Sequence, residues 1–336
     1  MTKRVSIIGV GAAAQEFHLP AIKFLNHSLS VLVETNPQVL AAAARRWKPV
    51  RTAADLDSID RSNTDLCIVC TPPDTHFAIA RSLMERGVGV LVEKPLVTRL
   101  DELQVLSALD AAGGARCFVG QMRRFFPNVR LLKQTLAGGT FGRVRALKLS
   151  EGSPFLWQTK SGYLNDPMDG GVVTDTGAHV FDLAVDLGAP EMARLTVESC
   201  LVDRYPQTHN LCFRAHDMAN DVRYEVKISR DTKVANRFAV FTDTAVILTN
   251  SQFDTEPLKV FPRNDPAAPL YVTAEVERHN VRYVYVLQLE SALAGLSAPD
   301  PSASPVHISN IAPTIHFLDL VHQHHVQRPF EWGFAA

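Results

Sequence analysis

Val-Leu-Val-Glu-Lys-Pro, the run from Val90 to Pro95, carries an apolar stretch straight into a charged pair that a proline then locks. A strand that is apolar at successive positions is covered on both faces, which is the environment of a parallel sheet. In such sheets ligands bind in the crevice beyond the carboxyl ends of the strands. Glu93 and Lys94 fall at that end. The pair therefore reads either as part of a site or as a solvated ion pair at a strand terminus, and the flanking chain decides between the two.

Upstream, Val5 to Val10 reads as a buried strand. It runs into Gly9-Val10-Gly11-Ala12-Ala13-Ala14, a G-x-G-x-x-G/A phosphate turn with alanine last. A helical stretch from Ala12 to Leu25 follows, so Gly9, Gly11, Ala12 and Ala13 would present backbone amides and a helix dipole to a pyrophosphate. The strand Ser30 to Val33 ends in Glu34, roughly 20 residues past the glycines, where an acid accepts hydrogen bonds from an adenosine ribose. That favours NAD. Thr35 and Asn36 offer no cation for a 2′-phosphate, and Arg45 and Arg46 lie further along the helix Pro37 to Trp47, so NADP is disfavoured. Asp65 to Cys70 is another strand, stopped by Thr71-Pro72-Pro73. His76 opens the next helix, either satisfied locally or lining the nicotinamide side. With Thr71, Pro72, Glu93 and Lys94 it completes the expected cofactor-binding set.

Downstream, a helix from about Thr98 to Ala112 and a strand Cys117 to Gly120 close an alternation of strand and helix. This predicts an α/β class: a doubly wound parallel sheet of the Rossmann kind over residues 1–122. From Arg123 the pattern changes, predicting a second, α+β domain over 123–336. A helix near Asn128 to Ala137 and a strand Val144 to Ser150 come first. Short alternating runs follow at Leu195 to Leu201, Leu211 to Ala215, Val222 to Ile228, Phe238 to Phe241 and Ala245 to Leu248, the pattern of a large, mostly antiparallel open sheet. Val281 to Leu296 is ambiguous between strand and helix, Ala298 to Pro305 is a Ser/Pro linker, and Ile308 to Val326 reads as a final helix. Between them, Val172 to Leu187 carries a helical apolar stripe on which Asp175 and His179 stand four apart, on one face. The spacing suits either a shared small ligand or a surface pair.

Composition narrows the function. The chain has 336 residues, 46% of them hydrophobic, enough for two domains with a sizeable core. A net charge of −1 and the lack of any long basic run give no footprint for nucleic acid or an anionic membrane. No apolar run approaches the length of about 18 residues that a spanning helix needs, and the first strand begins too early for a signal peptide, so a cytoplasmic location is expected. Five cysteines argue for reduced thiols. Cys67 and Cys70 read as structural thiols. His322, His324 and His325 read as a solvated helix end, and no metal is expected.

The ordered set of these motifs resembles the glucose-fructose oxidoreductase, inositol dehydrogenase and rhizopine catabolism (Gfo/Idh/MocA) family across nearly the whole chain. It consists of Gly9 to Ala14, Thr71-Pro72 with His76, Glu93-Lys94-Pro95, Arg124 with Pro127, Gly138 to Gly142, and Gly170-Gly171 leading to Asp175, Gly177, His179 and Asp182. Ala14 and Val172 depart from frequent glycines, away from the reacting groups. The resemblance implies that Lys94, Asp175 and His179 meet beside the nicotinamide, that a cis peptide precedes Pro95, and that the protein is a homodimer or homotetramer.

The expected chemistry is NAD-dependent hydride transfer to or from a secondary alcohol or ketone of a sugar, cyclitol or sugar derivative. Such a reaction needs a base of near-neutral pKa on the hydroxyl. His179 suits that role, Lys94 donates to the same oxygen, and Asp175 fixes a neighbouring hydroxyl. Glu93 orients Lys94 or the nicotinamide amide. Arg123, Arg124, Trp157, Lys160 and Tyr163 are candidates for the substrate pocket. The same fold also hosts NAD-dependent glycosidases without net redox change and non-catalytic NAD-binding regulators, the latter expected to have lost the motif lysine.

Overall fold

The computed structural model describes residues 2–154, 171–273 and 280–329. They form two compact units, one of residues 2–122 with 280–315, the other of 123–154, 171–273 and 316–329.

In the first unit, β1 (Arg4–Ile8), β2 (Ser28–Val33), β3 (Arg51–Ala53), β4 (Leu66–Val69), β5 (Gly89–Glu93) and β6 (Cys117–Gly120) pair in the order β3-β2-β1-β4-β5-β6, every pair parallel. Every residue of β4 and β6, and all but the last of β5, is buried. That explains their unbroken apolar sequence. The order reverses between β1 and β4, which makes the carboxyl edge there the switch point of a doubly wound sheet. The helical segment after β1 starts at Ala12 and passes through a π turn, Ala14–His18, before continuing as α1 (Leu19–Phe24). In α2 (Pro37–Trp47) proline stands in the first turn and the Asn36 side chain accepts from the amides of Gln38 and Val39. α3 (Pro73–Glu85) and α4 (Leu100–Ala111) complete the windings.

The ambiguous run Val281 to Leu296 is a helix, Tyr283–Gly295. Tyr285 stacks on Phe17 with ring centroids 4.4 Å apart, and Val119 N donates to Val306 O across 2.8 Å. Residues 280–315 therefore pack with the first unit, although the sequence reading placed all of 123–336 in the second.

The second unit holds β7 (Val144–Gly152), β8 (Leu195–Val202), β9 (Asn210–Asp217), β10 (Val222–Ser229), β11 (Val234–Thr242), β12 (Ala245–Thr249), β13 (Leu258–Pro262), β14 (Leu270–Val272) and β15 (Val326–Gln327), ordered β14-β13-β12-β11-β7-β10-β9-β8-β15. Among the described residues only β7 with β10 and β8 with β15 pair in parallel. The unit's first α-helix is α5 (Pro127–Ala137), and one face of the sheet packs on α6 (Ala178–Gly188), where Phe181 meets the rings of Phe213 and Phe317. A side chain at Gly188 would come within 2.7 Å of Leu147 Cδ1 and closer still to Tyr224, so glycine lets the helix end lie on the sheet. The other face is charged: Glu225 lies 3.0 Å from Lys227, 3.5 Å from Arg214 and 3.8 Å from Lys148.

The final helix runs Ile308–His324. His324 is exposed at its end, but His322 and His325, just past it, are not simply solvated, since Tyr205 bonds to His322 Nδ1 at 2.6 Å and stacks on His325. Among the described residues no helix is long and apolar enough to cross a membrane.

Candidate active site

The carboxyl edge of the first sheet gathers most of the expected cofactor residues. Gly9 takes φ +84°, and a Cβ there would sit 2.8 Å from Cys70 O, so the tight turn after β1 admits only glycine. Over Gly11 a Cβ would meet nothing within 4 Å, which leaves open backbone where a pyrophosphate could approach the start of the helix. Glu34, at the end of β2, is half-buried. Its Oε2 accepts from Val10 N at 3.0 Å and its Oε1 from Asn36 N at 2.9 Å. The carboxylate thus straps the glycine turn to the second winding. These features fit a dinucleotide.

Around Lys94 the side chains are tied inward. The Lys94–Pro95 peptide is cis. His76, expected among the cofactor ligands, is 1% exposed, with Nδ1 2.8 Å from Pro95 O and Nε2 2.9 Å from Thr71 O. Both ring nitrogens face carbonyls, so His76 braces the loop after β4 against the loop after β5. Burial pushes its pKa down, against the pull of the two carbonyls. Glu93 Oε1 lies 2.6 Å from His18 Nε2, and its Oε2 accepts from the Lys94 amide at 3.2 Å. Burial raises the Glu93 pKa, but His18 and then Lys94 outweigh it and hold the carboxyl below its usual range. For His18 burial works downward, and Cys70 and Glu93 reverse it to a raised pKa. Burial pushes the Cys67 and Cys70 thiols up, which suits structural thiols, although Cys70 is partly exposed.

In the second unit a π turn, Val173–Gly177, leads into α6. Its wide bond runs from Gly177 N to Val172 O at 2.8 Å. Asp175 stands in this turn and the buried His179 one turn further on. The segment after β1 and the one leading into α6 therefore both contain a π turn, a geometry that recurs at functional sites. Asp175 Oδ2 lies 3.4 Å from Arg230 Nη2. Arg230, 8% exposed and just past β10, escaped the sequence reading. Its only signal is the polar run Ser229-Arg230-Asp231 after an alternating strand.

Two residues expected in the substrate pocket carry buried ion pairs. Arg123 forms a two-pronged pair with Glu151, 2.6 and 2.9 Å, and donates to Ser251 O. Arg124 grips Asp182 with two bonds of 2.8 Å and reaches Asp186 at 3.1 Å. Buried guanidiniums committed to carboxylates in this way brace the unit's own core. Trp157, Lys160 and Tyr163 lie outside the described residues.

Comparison with known proteins agrees with the fold. Residues 3–121 match an oxidoreductase family with an NAD-binding Rossmann fold, and residues 129–248 match the GFO/IDH/MocA C-terminal domain. An inositol 2-dehydrogenase of Saccharopolyspora erythraea is 34% identical over 144 residues, 42% of each chain. An uncharacterized oxidoreductase of Escherichia coli is 29% identical over 186 residues, 55% of this chain and 53% of the relative. The chain spans about half the length of the curated relatives it matches. Among solved structures, a 3-ketoreductase from Actinomadura kijaniata in complex with NADP and TDP-benzene shares the fold with a TM-score of 0.79 at 18% identity, over 98% of this chain and 100% of that one. An aldose-aldose oxidoreductase from Caulobacter crescentus gives 0.81 at 16%, over 96% and 97%.

Proposed function

The chain belongs to the GFO/IDH/MocA oxidoreductase family, and from that premise we propose that it transfers hydride between NAD and a secondary alcohol or ketone of a sugar, cyclitol or sugar derivative. The observation that carries this reading is the carboxyl edge of one parallel sheet, where the open backbone of Gly11, the Glu34 carboxylate and the Glu93-Lys94 pair follow β1, β2 and β5.

Gly9, Gly11, Ala12 and Ala13 would hold the pyrophosphate, and Glu34 the adenosine ribose. A 2′-phosphate beside Glu34 would meet like charge, which supports NAD over NADP. The dinucleotide, when bound, supplies the hydride acceptor or donor. Lys94 would donate to the substrate oxygen and stabilise charge on it as the carbon–hydrogen bond changes partner. His179 would take the hydroxyl proton in the oxidising direction and return it in the reducing one. Asp175, ion-paired with Arg230, would accept a hydrogen bond from a neighbouring hydroxyl.

Incubation with NAD or NADP and a panel of polyols, aldoses and inositols tests the proposal. NADH should form with at least one member, faster than NADPH. Release of free sugar from a glycoside without reduced nucleotide would replace it with the non-redox chemistry. The same reading extends to a homodimer or homotetramer. An assembly through the charged open face of the second sheet would dissociate as salt rises, which light scattering can follow.

A further inference from the structure

We propose that His18 is a positioning residue for the hydride transfer proposed above: as a buried cation it neutralises Glu93, so that this carboxylate holds the backbone of Lys94 and does not compete with substrate for its ammonium group. The inference rests on that reading for its chemistry and on the first unit for its geometry. His18 is the last residue of the π turn and is wholly buried. Its Nε2 meets Glu93 Oε1 at 2.6 Å, while the other carboxylate oxygen takes the Lys94 amide. Room for this bent side chain comes from Gly120 on the neighbouring strand, where a Cβ would stand 3.0 Å from Glu93 Oε2 and 3.1 Å from Glu93 Cα.

The groups facing His18 come from three elements. Glu93 ends β5, Cys70 follows β4, and Tyr285 of the helix Tyr283–Gly295 presents a ring at 87° with centroids 5.3 Å apart. The neighbouring cation is Lys94, one residue beyond Glu93. Glu93 is the group here whose pKa is lowered, and Cys70 and Glu93 both favour the charged form of His18, so carboxylate and imidazolium hold each other charged. Without that cation, a buried carboxylate would stand one residue from the motif lysine with nothing to share its field. Opposite charge within about 4–6 Å shifts a pKa by about 1–3 units toward the charged form. Lys94 would then keep its proton more tightly and turn toward Glu93.

The test needs no substrate. Lys94 is acetylated competitively with acetic anhydride across a pH series, and its peptide is quantified by mass spectrometry in the wild type and in His18→Gln, which retains a hydrogen-bond donor for Glu93 but no charge. The midpoint for Lys94 labelling should rise by about one pH unit or more in His18→Gln, and Glu93→Gln added to that variant should bring it back. No rise, or a rise that the double variant leaves in place, overturns the proposal. Should His18→Gln not fold by circular dichroism, Glu93→Gln alone decides. An unchanged midpoint means the wild-type carboxylate was already balanced, and a fall of a full unit means it was not. Absence of nucleotide reduction in the polyol panel would instead defeat the oxidoreductase reading and leave the labelling result standing.

Discussion

Two clusters of buried charge, one in each unit, use similar groups to different ends. In the second unit, Arg124 closes on both oxygens of Asp182 and on Asp186, which Lys133 Nζ also meets at 2.6 Å. Every charge there answers another within the cluster, all on elements of one core. In the first unit, Glu93 gives one oxygen to His18 and the other to the backbone of Lys94, at the open edge of the sheet. A closed network braces, whereas a carboxylate divided between a buried cation and the backbone of a reactive residue positions. Burial and residue type alone do not separate the two; where the second oxygen points does.

The sharpest way to break this comparison is Lys94→Ala. Loss of an acid–base group costs roughly a hundred- to ten-thousandfold in rate. Turnover of the best polyol should fall that far in steady-state kinetics, while dinucleotide affinity and urea stability stay near wild type. Arg124→Ala should do the reverse. It leaves Asp182 buried without its guanidinium, a defect that typically costs about 3–5 kcal/mol, read as a lower urea midpoint, with kcat per folded molecule retained. Replacing both partners, Arg124→Met with Asp182→Leu, should recover much of that loss. A collapse of turnover in folded Arg124→Ala would return this arginine to the substrate site.

Glu34→Ala should narrow the NAD-over-NADP preference by roughly ten- to a hundredfold, the scale of a like-charge contact of a few kcal/mol, measured as the ratio of kcat/KM for the two nucleotides. A wild type that prefers NADP would contradict the role given to Glu34.

The smallest effect follows pH. His18 is raised above its unfolded value of 6.5, so its contribution to stability is complete below about pH 6.5 and fades as pH climbs toward the raised value. Glu93 is lowered from 4.5, so its share is present above that pH and is lost as pH falls. The stability gap between wild type and His18→Gln should be widest near pH 5 to 6.5. It should then narrow by up to about 1.4 kcal/mol per pH unit above it. A gap that widens with pH would mean that His18 is buried neutral.

The same contrast explains what could be read from the chain beforehand. Parallel strands buried on both faces leave apolar runs, so β1, β2, β4, β5 and β6 were legible, and with them Gly9, Gly11, Glu34 and Lys94 at the ends of β1, β2 and β5. Asp175 and His179 were legible because helical spacing is local. The ion pairs of Arg123 and Arg124 were not legible because their partners, Glu151 and Asp182, are 28 and 58 residues away, and an arginine beside a strand end looks the same whether it meets a carboxylate or a ligand. Arg230 was missed for the same reason, since Asp175 is 55 residues from it. β14 at the sheet edge and β13 beside it are short, three and five residues, so periodicity had little to act on.

The central claim is that the edge carrying Gly11, Glu34 and Lys94 serves hydride transfer. It is tested most directly by supplying NAD with the best polyol of the panel, deuterated at its carbinol carbons, and weighing the nicotinamide product. The account predicts deuterium in the NADH formed by wild type and at most a trace of that product from Lys94→Ala. NADH free of deuterium, or equal deuterated product from Lys94→Ala, would contradict it.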